Sequence, residues 1–246
     1  MKSTNSRLYE RVARSLADSI SSGEYPVGDR LPSERELAQA HGVSRPTVRE
    51  AIIALELDGL VDVRMGSGVF VVARAPKGGV SGVTDVGPFE LLEARRGIES
   101  ETASLAAMRI TDQQLTELEV LLEQINHGGD ILVSEEADRQ FHIKIAESSG
   151  NSAMLAVVEM LWEARTRSPQ YRLLTHKAHV AGIGPDIDEH AMILEALRER
   201  DPVAAGIAMR VHLNRVLESL LAATEVHELE QVRERVDAQR RKFGTR

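Results

Sequence analysis

Residues 31–72, LPSERELAQAHGVSRPTVREAIIALELDGLVDVRMGSGVFVV, restrict the fold more than any other stretch of the chain. Ser33 stands just before Glu34 and Glu36 lies three residues on, a capping box that predicts a short helix over Glu34–His41 ending at Gly42. Ser44 caps a second helix, with Pro46 in its first turn, an apolar run from Ala51 to Leu57 and a stop at Gly59. Leu60–Val63 and Val69–Val72 alternate as strands do, around a turn at Met65-Gly66-Ser67-Gly68. Two helices at turn spacing followed by a β-hairpin predict a winged helix-turn-helix. The Gly-x-Gly pair precedes a strand rather than a helix, so it is not a nucleotide-binding loop.

The remainder reads as helix. Upstream, Arg7–Ser22 carries Leu8, Val12, Leu16 and Ile20 as one apolar stripe. Residues 76–88 have no period and are rich in Gly, Pro and Ser, which makes them a linker. Helices follow over Phe89–Arg109, Asp112–Asn126, Val133–Ser148, Ser152–His179, Ile187–Arg200 and Pro202–Thr224, an all-α bundle of six. The expected organisation is a DNA-binding domain over residues 1–75, the linker, an all-helical domain over residues 89–224 and a charged tail from 225 to 246. The fold class is mainly α.

Composition narrows the function. The chain has no cysteine, so any metal must be held by His and carboxylates. No stretch reaches the 18 or so apolar residues of a membrane span, and the N-terminus lacks the apolar core of a signal peptide, so a cytoplasmic protein is expected. The net charge of −8 reads at first against nucleic acid. Residues 1–75, however, hold 10 basic and 10 acidic side chains, so the whole acidic excess lies beyond them.

Arg45 and Arg49 are four apart at the start of the second short helix and are expected to share one face. Arginines there suit guanine edges and phosphates, and Ser44 and Thr47 suit phosphate at a helix N-terminus. Arg35 is placed to clamp the backbone, and Gly66 would let the wing tip approach a minor groove. The plainer alternative, a solvated arginine face, explains any one of these residues but not the ordered set.

In the helical half, Asp138 and His142 lie i, i+4 on one helix, while His190 and His212 stand among apolar residues on two later helices. One carboxylate and three imidazoles suit Zn²⁺, Ni²⁺, Mn²⁺ or Fe²⁺. Spacing alone favours the plainer reading, four unrelated residues that satisfy hydrogen bonds in a helical core, because only the Asp138–His142 link is local in sequence. Arg95 is suited to clamp a carboxylate bidentately, or to pair with Glu99 at the surface. The segment Trp162–His179 is dense in polar groups, Arg165, Tyr171 and Arg172 among them, and reads either as a ligand wall or as a solvated helix face.

The motifs LPSERELA, GVSRPTVREAI, L-x-x-DGL and G-x-G-x-F-V resemble the DNA-binding domain of the GntR family of bacterial transcription regulators. ELLEARRGIE, EADRQFHIKIAESSGN, DEHAMILEAL and AMRVHL resemble the FCD effector domain of its FadR subfamily, and GPFELLEARR with the Trp162 segment is most similar to regulators of hexuronate catabolism. The resemblance implies DNA contacts from Ser33, Arg35, Ser44, Arg45, Thr47, Arg49 and Gly66, although Met65 stands where some relatives carry a basic or His residue. It implies a divalent metal, Zn²⁺ above all, on Asp138, His142, His190 and His212, with an organic acid bridging it to Arg95. The expected protein is not an enzyme but a homodimeric repressor on palindromic double-stranded DNA, switched by a small carboxylate such as a sugar acid. A metal-dependent enzyme acting on a carboxylate, or a regulator with a purely structural metal, are the rival readings.

Overall fold

A computed structural model describes residues 8–64, 67–76, 86–127, 131–180 and 188–224. The N-terminal part holds α1 (Leu8–Ser22), α2 (Glu34–His41), α3 (Arg45–Leu57) and the strands β1 (Val61–Arg64) and β2 (Gly68–Val71). α1 buries Tyr9, Val12, Leu16 and Ile20, while Leu8 is 52% exposed. The apolar stripe therefore starts one residue later than a strict four-residue spacing predicts, because the true period is 3.6. Ser33 and Glu36 cap α2 reciprocally, and Gly42 ends it at φ 65, a left-handed position that suits glycine. Ser44 caps α3 through the backbone N–H of Thr47.

β1 and β2 pair antiparallel, with Val61 opposite Val71 and Arg64 opposite Gly68. Gly68 has φ +116, and a Cβ there would lie 2.3 Å from Arg30 Nε, so the wing base requires glycine on both counts. Val12, Leu16, Ile20, Val48, Ile52 and Leu55 join Val61 and Val69 in one core under the hairpin. Each such fully buried aliphatic side chain contributes roughly 1.5–3 kcal/mol.

The C-terminal part is helical throughout: α4 (Pro88–Ala107), α5 (Asp112–His127), α6 (Ile131–Ser148), α7 (Ser152–Arg167), α8 (Pro169–Val180), α9 (Asp188–Arg198) and α10 (Pro202–Thr224). α4 packs along α10, α5 along α6, and α9 closes against α10. The core between them is built from Ala103, Ala106, Leu118, Phe141, Ile193, Leu197 and Leu213. Among the described residues no helix is long and apolar enough to cross a membrane.

One expected element is two. The helix read over Ser152–His179 breaks at Ser168, whose ψ of 113 is extended. Pro169 excludes the helical conformation for the residue before it and then starts α8, whose N-terminus Ser168 caps by accepting from Tyr171 N at 3.1 Å. The bundle thus has seven helices among the described residues, not six.

The two parts touch through α3. Ile53 enters a cluster with Phe89, Leu92 and Leu174. The buried Glu50 carboxylate accepts from the backbone N–H of Phe89 at 3.1 Å and Glu90 at 3.4 Å, at the open N-terminus of α4. Lys177 of α8 holds Glu56 with its Nζ at 2.6 and 2.7 Å from the two carboxylate oxygens.

Candidate functional site

The candidate nucleic-acid face lies where α2, α3 and the wing base meet. Arg30, Arg35 and Arg45 line one shallow depression there with Ser33 and Gly68. Arg30 was not singled out from sequence, because only the hairpin brings it beside the two helices. The Arg45 side chain is 55% exposed and only loosely paired, 3.6 Å from Glu34. Arg49 differs from it: the residue is 6% exposed and its Nε donates to both oxygens of Glu34, at 2.8 and 2.9 Å. The two arginines share a helix but not an environment, because α2 packs over the second of them. The Ser33 hydroxyl is engaged with Glu36, and the Ser44 hydroxyl lies 2.8 Å from that of Thr47. Gly66 and Met65 lie outside the described residues.

In the bundle, Asp138 and His142 of α6, His190 of α9 and His212 of α10 come together, with one ligand atom from each lying within 4.8 Å of the others. All three histidines are buried. Their orientation is set from outside the cluster. His142 Nδ1 is 2.5 Å from Glu99, and His212 Nδ1 is 3.2 Å from Glu189. Each contact leaves Nε2 to ligate, as the carboxylate partners of metal-bound histidines do. His142 Nε2 is buried without a hydrogen-bond partner among the described residues, and Asp138 Oδ1 is the carboxylate facing it at 3.5 Å. Three imidazoles and one carboxylate fit a divalent ion that accepts nitrogen and oxygen ligands.

The charges agree with that fit. Burial alone would raise the Asp138 carboxyl, but His142 and His190 outweigh it and hold it well below the usual range. Burial lowers His212, and the neighbouring His190 and His142 lower it further, so it is a neutral imidazole ready to ligate. His142 goes the other way: burial is outweighed by Glu99 and Asp138, and its pKa is raised.

Arg95 is 2% exposed on α4, and its Nε and Nη2 bond Glu99 at 2.6 and 3.4 Å. The pairing with Glu99 weighed for the surface exists, but in the core, where it joins Arg95 to His142 through one carboxylate. Arg96 reaches Asn214 Oδ1 instead, at 2.9 Å. Trp162, fully buried on α7, has two cations against its ring: the Arg95 guanidinium is 4.0 Å and that of Arg165 4.7 Å from the centroid. Its ring centroid is 5.2 Å from that of His142. The break at Ser168 turns Tyr171 back onto Arg165, 4.9 Å from its guanidinium. Arg172 is not brought to this cluster. It is exposed and donates to Thr166 O at 2.9 Å, because neighbours on a helix point about 100° apart.

Sequence reasoning missed Glu99, Glu189, Trp162 and Gln170. Glu99 was visible only as Arg95's i+4 neighbour, and nothing in the spacing told a buried pair from an exposed one. Gln170 is fully buried, with both amide atoms lacking partners among the described residues.

A winged helix-turn-helix packed on a helical bundle that holds a metal-competent cluster is the architecture of a DNA-binding regulator. Residues 8–71 match the bacterial regulatory proteins of the gntR family, and residues 90–215 match the FCD domain. The chain is 42% identical over 212 residues to the Exu regulon transcriptional regulator of Escherichia coli (strain K12), covering 84% of this chain and 82% of that protein. It is 36% identical over 240 residues to the Uxu operon regulator of Haemophilus influenzae, covering 93% and 87%. Among solved structures, Streptococcus agalactiae GntR aligns over 86% of this chain and 99% of its own, at 33% identity and a TM-score of 0.45. The chain belongs to the GntR family and carries an FCD domain. It is a DNA-binding transcription regulator, not an enzyme.

Proposed function

We propose that the protein is a repressor whose affinity for a palindromic operator is switched by a small carboxylate bound at the metal centre. The ion, Zn²⁺ by its ligand set, is held by Asp138, His142, His190 and His212. The effector is a sugar acid, a hexuronate or a close derivative, taken up beside Arg95, Arg165 and Tyr171. The observation that carries the reading is the juxtaposition of the four-ligand cluster with two guanidiniums around Trp162. Its likeness to regulators named for the Exu regulon and Uxu operon supports the choice of acid. Two copies reading two half-sites is how such a module meets a palindrome.

Metal content and thermal unfolding test it together. The purified protein is expected to carry about one Zn²⁺ per chain, and D-glucuronate or D-galacturonate to raise its melting temperature and release an operator fragment. Stabilisation by Zn²⁺ with no response to any acid would leave the metal as a structural element.

On the reading face, Arg45→Ala is expected to weaken specific operator binding by roughly 10–100-fold with unchanged stability. Arg49→Ala is expected to lose stability as well, because it strands the partly buried Glu34. Fluorescence anisotropy on operator and on unrelated DNA, with urea unfolding of each variant, separates the two. Full affinity in Arg45→Ala would remove that residue from the interface.

A further inference from the structure

We infer that Trp162 reads the effector directly, its indole N–H donating to an oxygen of the acid while Arg165 beside it takes the carboxylate. The inference rests on the effector reading above and divides the roles within it.

Trp162 Nε1 is shielded from solvent and has no hydrogen-bond partner among the described residues. An indole nitrogen is a donor only, and a buried donor left unpaired is costly, so it calls for an acceptor. The nearby Arg165 Nε is shielded and unpartnered in the same way. The two arginines on the indole are not equivalent. Arg95 is neutralised by Glu99 at 2.6 Å, whereas among the described residues Arg165 makes no ion pair with a carboxylate. Arg165 is thus the guanidinium without a close carboxylate, 4.7 Å from the Trp162 ring and 4.9 Å from that of Tyr171, while the Tyr171 hydroxyl and the charges of Asp138 and Glu135 also act on it. The His142 ring lies 5.2 Å from the indole, and its Nε2 is likewise without a hydrogen-bond partner among the described residues.

The proposed metal ligand His142, the indole N–H and the Arg165 guanidinium thus gather at one ring. This arrangement selects an acid with oxygen acceptors along its length. A neutral sugar leaves the Arg165 charge unmet, and a bare carboxylate leaves the indole N–H unmet. Arg95, tied to the ligand histidine through Glu99, then serves chiefly to position the centre.

The chain has a single tryptophan, so the reporter is already in place. D-glucuronate and D-galacturonate are titrated into the Zn²⁺-loaded full chain, following heat by calorimetry and emission from Trp162. Glucose, galactose and acetate serve as comparisons. The expected result is a change in emission that saturates with the calorimetric isotherm for a uronate, and weaker binding of the comparison compounds. Trp162→Phe keeps the aromatic face but removes the N–H, and about a tenfold weaker affinity at unchanged Zn²⁺ content is expected. Arg165→Gln is expected to lose at least as much, and it covers the case in which Trp162→Phe does not fold. Heat without any change in Trp162 emission, or variants that bind within twofold of the parent, would overturn the inference while leaving the effector reading intact. A parent chain that binds neither uronate would remove both.

Discussion

Replacing Glu99 by alanine is expected to cost about 3–5 kcal/mol of folding stability, the cost of stranding one side of a buried ion pair. The carboxylate accepts from Arg95 and contacts His142 Nδ1, and all three residues are buried. Burial by itself pushes the Glu99 carboxyl up, yet Arg95 and His142 more than offset it and hold it at about 2. Because the pKa is depressed in the folded chain, this contribution is complete above the ordinary carboxyl range and is lost only as pH falls toward 2. Removing the group leaves a guanidinium and an imidazole in the core with nothing to accept from them. It also releases the ring of a proposed metal ligand, and the partners of metal-bound histidines are typically worth 10–100-fold in metal affinity. Urea unfolding at neutral pH and competition with a chelator read the two effects separately. A loss below about 1 kcal/mol would mean that Arg95 and His142 find other acceptors.

Glu50→Gln is expected to make the protein more stable above pH 7 and to remove a pH dependence of about 3 kcal/mol. Glu50 lies on α3, and burial raises its carboxyl to about 7, with Glu90 adding to the rise and the N–H groups of Phe89 and Glu90 opposing it. In the unfolded chain it titrates near 4.5. The folded state therefore binds the proton more tightly, so the contribution is greatest below 4.5 and declines as pH rises to about 7. Glutamine keeps the acceptor for α4 without the charge. The check is the difference in unfolding free energy between parent and variant across pH 5–8, which should widen with pH and then level off. A flat difference would show that Glu50 is not held in the desolvated contact. The interest of this group lies in its position. It joins the helix that carries Arg45 to the helix that carries Arg95, and Lys177–Glu56 makes a parallel link from α8. A ligand that shifts α4 or α8 acts on α3 through these two contacts, provided it has different affinity for the two arrangements.

Local rules carried much of the fold. The caps at Ser33 and Ser44, the stop at Gly42 and the alternating hairpin each depend on residues within four positions, so they were legible without tertiary information. The break at Ser168 was equally local, a Ser-Pro step, but the apolar and basic periodicity on either side masked it. The metal set was legible in part. Asp138 and His142 are one turn apart, whereas His190 and His212 are joined to them only by how α9 and α10 pack.

Arg45 and Arg49 mark the boundary. The sequence by itself determined that both occupy the first turns of a capped helix after a tight turn, because capping, proline placement and apolar spacing are short-range. It likewise determined that any metal would rest on histidine and carboxylate, since the chain has no cysteine. Only the tertiary structure decided that Arg45 faces solvent while Arg49 is spent on Glu34, and that Glu99 is a buried link between Arg95 and His142. It also brought two guanidiniums against the Trp162 ring. Each of these depends on which helix covers which face, and burial changes what a charged group does more than its place along the chain.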